Sequence, residues 1–243
     1  MFQNLRKSKK LLLIAMTCAT FAIAGCGSDT TKTTADNGPS VTWSETFDGT
    51  KTDFAVKSAP THAVSMSQAT TEMMLQLGLE DKMAGTAFKE EEIYPPLQAA
   101  YDKVKVLSEK WPSYEVFMSV KPDFATGWPD SFSKRAIPAD KMISQKVNIW
   151  IPESMLSTKA DLETNFSDMI KLGEIFGVKP KAEEWVSGQR KTLAAIQDKL
   201  KDLPRKRIFI YDSEDGQPFT AFEGYTTNIL KLIGADNVMS GLG

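Results

Sequence analysis

Histidine and cysteine are almost missing from this chain, and their scarcity removes whole classes of chemistry. His62 is the only histidine, so a His-rich metal site is excluded and imidazole acid–base catalysis has a single candidate. That residue directly precedes a short apolar run, where a structural role suits it better than a chemical one. Cysteine occurs only at positions 18 and 26. No Gly-rich phosphate loop, Gly-x-Ser-x-Gly elbow or Cys–His pair is present, and no spacing pairs the plentiful carboxylates. The longest apolar run, 11–24, is too short for a comfortable membrane span.

That run follows Arg6, Lys7, Lys9 and Lys10, the arrangement of a signal peptide over residues 1–25. Ile23-Ala24-Gly25-Cys26 looks like a bacterial lipobox, in which cleavage precedes Cys26 and its thiol carries the lipid. The alternatives are an ordinary secretory signal or a single anchor helix. Cys18 follows Thr17 and is a poor lipidation site. After cleavage Cys26 is the sole cysteine, which excludes an intrachain disulfide, a cysteine zinc site and an iron–sulfur cluster. The mature chain has 25 basic against 31 acidic residues, a net charge of −6. An acidic domain of this kind is a poor nucleic-acid binder. It has no polybasic patch for anionic lipid, so membrane attachment rests on the acyl chains. Residues 26–40 are small and polar, the composition of a flexible tether.

With 42% apolar residues the remainder can bury one or two ordinary cores. Segment 41–56 predicts a hairpin, with Asp48-Gly49 between two alternating stretches. Segment 62–87 reads as strand, polar turn, helix, strand. Met73, Met74, Leu77 and Leu79 recur at helical spacing, Gly78 stops the helix, and 83–87 is again apolar. This is a β-α-β unit of a parallel sheet, and ligands bind such sheets at the turn after the strand. Glu90, Glu91 and Glu92 follow, where a solvated loop is favoured over a cation site because consecutive side chains do not converge. A helix start is predicted at Pro95 or Pro96.

A second block reads Trp111-Pro112-Ser113-Tyr114-Glu115, a short helix, Lys121-Pro122-Asp123, and a strand over 124–128 ending in Trp128. Residues 132–146 predict a helix and 147–152 a strand. A helix capped near Ser157 and Thr158 runs to Gly177 with Leu162, Phe166, Met169 and Phe176 on one stripe. Another spans 181–201 before Pro204. A strand at 207–211, a Gly216-containing loop through Phe219, a helix over 225–232 and Gly234-Ala235-Asp236-Asn237-Val238 complete the chain.

The turn Ser65-Met66-Ser67-Gln68-Ala69-Thr70-Thr71-Glu72, the Glu115 to Trp128 block and the last strand–loop–helix unit resemble the periplasmic binding proteins for iron–siderophores and vitamin B12. Gln68 stands where the family usually has Pro, and Ala235 where it has a second Gly. The resemblance implies an α/β protein of two Rossmann-like lobes with central parallel sheets joined by one long helix. It places the N-terminal lobe at 41–157, the interlobe helix at 158–177 and an incomplete C-terminal lobe at 178–243. It implies a lipid-anchored, monomeric, non-enzymatic binding protein of an ABC importer on the extracytoplasmic face of the cell membrane. The ligand is a metal chelate, a ferric siderophore before cobalamin, with no resident cofactor or metal. Ser67, Gln68, Phe88, Trp111, Trp128 and Phe219 are expected to face ligand. Any one aromatic is equally explained by core packing. Arg135, with Lys134, is a candidate for an anionic chelate, although solvated surface charge fits both. Glu115 is expected to dock on the permease, and independently suits a helix N-terminus. The competing readings are a cell-surface sensor or enzyme on the same lobes, and a non-functional fragment.

Overall fold

The computed structural model describes residues 40–214 and 216–242. The expected signal peptide over 1–25, Cys26 and the expected tether as far as residue 39 lie outside them.

The chain opens with β1 (Val41–Phe47) and β2 (Thr50–Val56), an antiparallel pair. Asp48 and Gly49 both take positive φ, as a two-residue hairpin turn with the right twist requires. Next come β3 (Ala63–Ser65), α1 (Gln68–Gln76) and β4 (Met83–Ala87), matching the expected β-α-β unit. Ser67 caps α1 by accepting from the Thr70 amide, and Gly78 leaves it at φ +63°. A 3-10 turn over Pro95–Leu97 leads into α2 (Gln98–Tyr101), then β5 (Val106–Ser108), α3 (Tyr114–Ser119) and β6 (Phe124–Thr126).

The helix expected over 132–146 is broken. Residues Pro129–Phe132 form a 3-10 turn, and α4 (Ala139–Ser144) starts only after Pro138. The physical reason is Pro138, which disfavours helix at the residue before it and can itself only begin one. Then follow β7 (Asn148–Trp150), α5 (Leu162–Ile175) and α6 (Lys179–Leu200). Beyond them lie β8 (Lys206–Ile208), the antiparallel β9 (Ser213–Glu214) and β10 (Pro218–Phe219), α7 (Tyr225–Leu232) and β11 (Ala235–Asn237).

β3 to β7 form one parallel sheet in the order β5-β4-β3-β6-β7. The chain starts in the middle, moves outward through β4 and β5, then returns to the other side of β3. The reversal leaves a crevice at the carboxyl ends of β3 and β6. Alternate strand residues face opposite ways, so each sheet face has its own core. Ala63, Phe124 and Trp150 join Met73 and Met74 of α1, and Leu77 just after it, on one face. Val64, Ala125 and Ile149 join Phe117, Phe132 and Met142 on the other. In the second half, β8 and β11 form a parallel pair joined through α7.

The sequence assigns the interlobe joint to 158–177. In the structure that segment gives α5, whose Phe166, Met169, Leu172 and Ile175 pack into the same cluster as Phe124 and Trp150. The following helix reaches both halves. Ala182 and Val186 of α6 are buried in that cluster, while Gln197 near its far end donates to the Leu232 carbonyl of α7. At 22 residues α6 is about 33 Å long.

β7 is a sheet edge, and side chains close it. Trp43 Nε1 donates to the Ile149 carbonyl at 2.7 Å, and Glu45 accepts from the Ile151 amide at 3.0 Å. Asp168 accepts from the amides of Glu153 and Ser154, both at 2.9 Å, where the chain leaves the sheet. Burial raises the Glu45 carboxyl from 4.5 to about 7, opposed by the Ile151 bond and assisted by Glu153 and Asp168. Burial likewise raises Asp168. The folded protein thus keeps a proton on Glu45 that the unfolded chain has already lost. Its stabilisation is full below pH 4.5 and disappears as pH rises through 7. The size is about 3 kcal/mol at most. Glu45→Gln keeps the acceptor and removes the titration. Urea unfolding of the variant from pH 5 to 8 is expected to lose that part of the slope; parallel pH profiles for the two proteins would refute the assignment.

Candidate functional site

The carboxyl end of the parallel sheet is built around one carbonyl, that of Met66. It accepts from Trp111 Nε1 at 3.1 Å and from Ser131 Oγ at 3.2 Å. Gly127 lacks a side chain here because a Cβ would meet Ser131 Oγ at 2.9 Å and the Met66 backbone at 3.1 Å. The loops after β3, β5 and β6 are thereby drawn to the crevice between β3 and β6.

Phe88 follows β4 at φ +59°, a region that bulky residues rarely enter. Two interactions hold it there. Its ring stacks on Trp111 with centroids 4.5 Å apart and planes 15° from parallel. Gln68 pins the loop that follows. Its Oε1 accepts from the amides of Glu90 (3.0 Å) and Glu91 (2.7 Å), and its Nε2 donates to the Glu92 carbonyl and to Glu72. Glu72 in turn accepts from the Tyr94 amide. Backbone strain of this kind persists only where the surroundings over-determine it.

Phe88, Trp111 and Trp128 line one open concavity of about 390 Å³, together with Glu90, Pro129 and Asp130. Trp128 Nε1 donates to Glu90 Oε2 at 3.3 Å. Three of the residues singled out in the sequence therefore share one wall. The others have different surroundings. Ser67 is fully buried, and its hydroxyl is engaged with Thr70 as the cap of α1. Gln68 spends its amide on the 90–92 loop. Arg135 is exposed and ion-paired to Asp130 at 2.7 Å. Phe219 is 47% exposed in the β9–β10 hairpin and does not line the concavity.

Glu115 sits in the first turn of α3, exposed, behind the Ser113 cap. Its own backbone amide and the Ser113 hydroxyl, helped by Lys141, hold its carboxyl below the usual range. His62 serves the backbone: Asp123, the last residue of Lys-Pro-Asp, accepts from the amides of Thr61 (2.8 Å) and His62 (3.0 Å) just before β3. Among the described residues no three His, Cys, Asp or Glu side chains gather to hold a metal ion.

Of the two acidic lining residues, the sequence assigns Glu90 to a solvated loop and gives Asp130 no role. A signal was there. Each stands two residues after a strand-end aromatic, as Phe88-x-Glu90 and Trp128-x-Asp130. The run of three glutamates hid the first.

Comparison with known proteins gives a consistent placement. The family model described as "Periplasmic binding protein" matches residues 64–242. A crystal structure of a periplasmic binding protein from Veillonella parvula DSM 2008 is 97% identical, with TM-score 0.83, over 85% of this chain and 70% of that one. An uncharacterized ABC transporter substrate-binding lipoprotein of Bacillus subtilis, YvrC, is 25% identical over 95% of this chain and 73% of its own length. A vitamin B12-binding protein of Vibrio vulnificus is 25% identical over 77% of this chain and 65% of its own.

The Gln68 clamp is directly testable. Gln68→Ala leaves the amides of Glu90 and Glu91 without their acceptor and is expected to lower stability by about 1–2 kcal/mol. Hydrogen exchange at those two amides should accelerate, while the sheet amide of Val64 stays protected. Unchanged exchange at 90 and 91 would remove the clamp from the account.

Proposed function

We propose, because this chain belongs to the periplasmic binding protein family, that it is the solute-binding lipoprotein of an ABC importer. It captures a metal chelate, a ferric siderophore before cobalamin, and hands it to a membrane permease. Proteins of this family are transport components and not enzymes. The chain works by shape and surface: the metal stays in its chelator, and no bond is made or broken.

The observation that carries the reading is the aromatic wall. Phe88, Trp111 and Trp128 follow β4, β5 and β6 at the carboxyl edge of one parallel sheet, where open α/β sheets bind ligands. Stacked rings present a large rigid area at little entropic cost, which suits a broad chelate. The structural order behind that wall supports it further. Met66, Gly127 and Gln68 fix the rings before any ligand arrives, so little binding energy goes into ordering them.

The remaining parts follow from the same reading. Residues 41–157 with α5 form the N-terminal lobe, α6 is the joint, and β8 to β11 with α7 belong to the second lobe, whose Phe219 faces the ligand from the far side. A helical joint limits bending, so the two lobes close by a small movement. Cys26 anchors the monomer to the outer face of the cell membrane, with residues 27–40 as tether. Glu115 docks on the permease. Its exposure leaves it free for a cationic partner, and its lowered pKa keeps it ionised across the neutral range.

Two measurements test this. Tryptophan fluorescence of the protein titrated with a panel of ferric siderophores and cobalamin should report quenching by at least one chelate. Trp111→Ala with Trp128→Ala should weaken that binding by about tenfold or more, by analogy with aromatic anchors at other interfaces. Separately, Glu115→Arg should abolish cellular uptake of the bound chelate; uptake at the unaltered rate would remove the docking role.

A further inference from the structure

We infer that the aromatic wall selects a neutral or cationic chelate and disfavours an anionic one; the inference rests on the solute-binding reading above. The charged side chains lining the concavity are Glu90 and Asp130, both acidic. Glu90 is not free to swing away, because Trp128 Nε1 donates to its Oε2 at 3.3 Å and its backbone amide is held by Gln68. Asp130 is fixed by Arg135, whose Nη1 lies 2.7 Å from Oδ2.

Among the described residues Arg135 is the one cation ion-paired to this wall's charged groups, and it is consumed there. The guanidinium offsets Asp130, while Glu90 has no ion-pair partner among the described residues. Its backbone amide is also tied, to Ser133 Oγ at 3.1 Å, which sets the Asp130–Arg135 pair into one short turn. Lys89, Lys110 and Lys134 neighbour the wall in sequence, and none of them lines it. The rings add to the same preference, since aromatic faces attract cations and repel anions. Three aromatic faces, one carboxylate outside any ion pair among the described residues and one offset pair make a surface that favours positive or neutral ligand edges. A like charge brought against such a surface is the repulsive element that specificity requires.

The chemistry this admits is definite. A ferric trihydroxamate has no net charge at its metal centre, and an ammonium tail makes it cationic. A ferric tris-catecholate carries three negative charges. The first fits the wall, and the second meets Glu90 with like charge.

The test uses the full chain and its own tryptophans, since Trp111 and Trp128 report directly on the wall. Fluorescence titration with an ammonium-bearing ferric trihydroxamate and with a ferric tris-catecholate should give an affinity ratio of about tenfold or more favouring the hydroxamate. The ratio should shrink as salt screens the rim. Glu90→Gln with Asp130→Asn removes both carboxylates and frees Arg135, so the double variant should narrow the ratio to near unity or invert it. Tighter binding of the tris-catecholate by the unmodified protein overturns the inference and leaves the solute-binding reading in place. A hydroxamate preference that the double variant leaves intact also overturns it, because the preference then has another source. Quenching by no chelate of either charge overturns the solute-binding reading and this inference with it.

Discussion

Ser65, Ser67, Thr70, Thr71 and Thr86 are withdrawn from solvent, and their hydroxyls satisfy one another. Ser65 Oγ meets Thr70 and Thr71 at 2.7 and 2.8 Å, Ser67 meets Thr70 at 2.8 Å, and Thr71 meets Thr86 at 2.6 Å. Leaving one buried hydroxyl without a partner costs about 1–3 kcal/mol. The start of α1 therefore has one position relative to β3 and β4, the position in which all five are paired. Everything at the crevice is hung from it. Gln68 is the first residue of α1 and carries the 90–92 loop. That loop fixes Phe88, and Phe88 stacks on Trp111. The Thr126 hydroxyl, on the strand beside Ser65, is buried with no hydrogen-bond partner among the described residues and marks where this lattice ends.

Local signals were readable where the backbone alone decides. Asp48-Gly49 places the hairpin, Gly78 stops α1, and the helix over 225–232 has the bounds the sequence suggests. The position of Phe88 and Trp128 just after strands was enough to group them, because a parallel sheet gathers all its carboxyl ends on one side. Gln68 could not be read this way. Whether its amide faces solvent or a loop depends on residues 90–92 lying within reach, a tertiary fact. The partner of Arg135 was illegible for the same reason, as that carboxylate is five residues upstream in a turn that the helical pattern of 132–146 did not suggest.

The division between α5 and α6 shows a different limit. Both helices have an apolar stripe, and a stripe says only that something covers it. For α5 that cover is the N-terminal sheet over most of its length. In α6 it is confined to the first turns, where Ala182 and Val186 are buried and Trp185 packs beside Phe166, with the following turns mainly exposed until Gln197 reaches α7. A helix that buries only its beginning is a strut, and no count of hydrophobic residues distinguishes it from a wall.

The hairpin of β1 and β2 joins the sheet through Trp43 and Glu45, each bonded to a residue 106 positions later. Its docking edge is the last strand of that sheet to be made. A chain emerging amino end first must carry the hairpin undocked, with Trp43, Phe47 and Phe54 waiting for Ile149 and Ile151. Closing so long a loop is slow relative to local pairing, because its entropy is lost before its contacts form. The hairpin, first of the described elements to be made, is thus expected to be the last part of this lobe to become rigid.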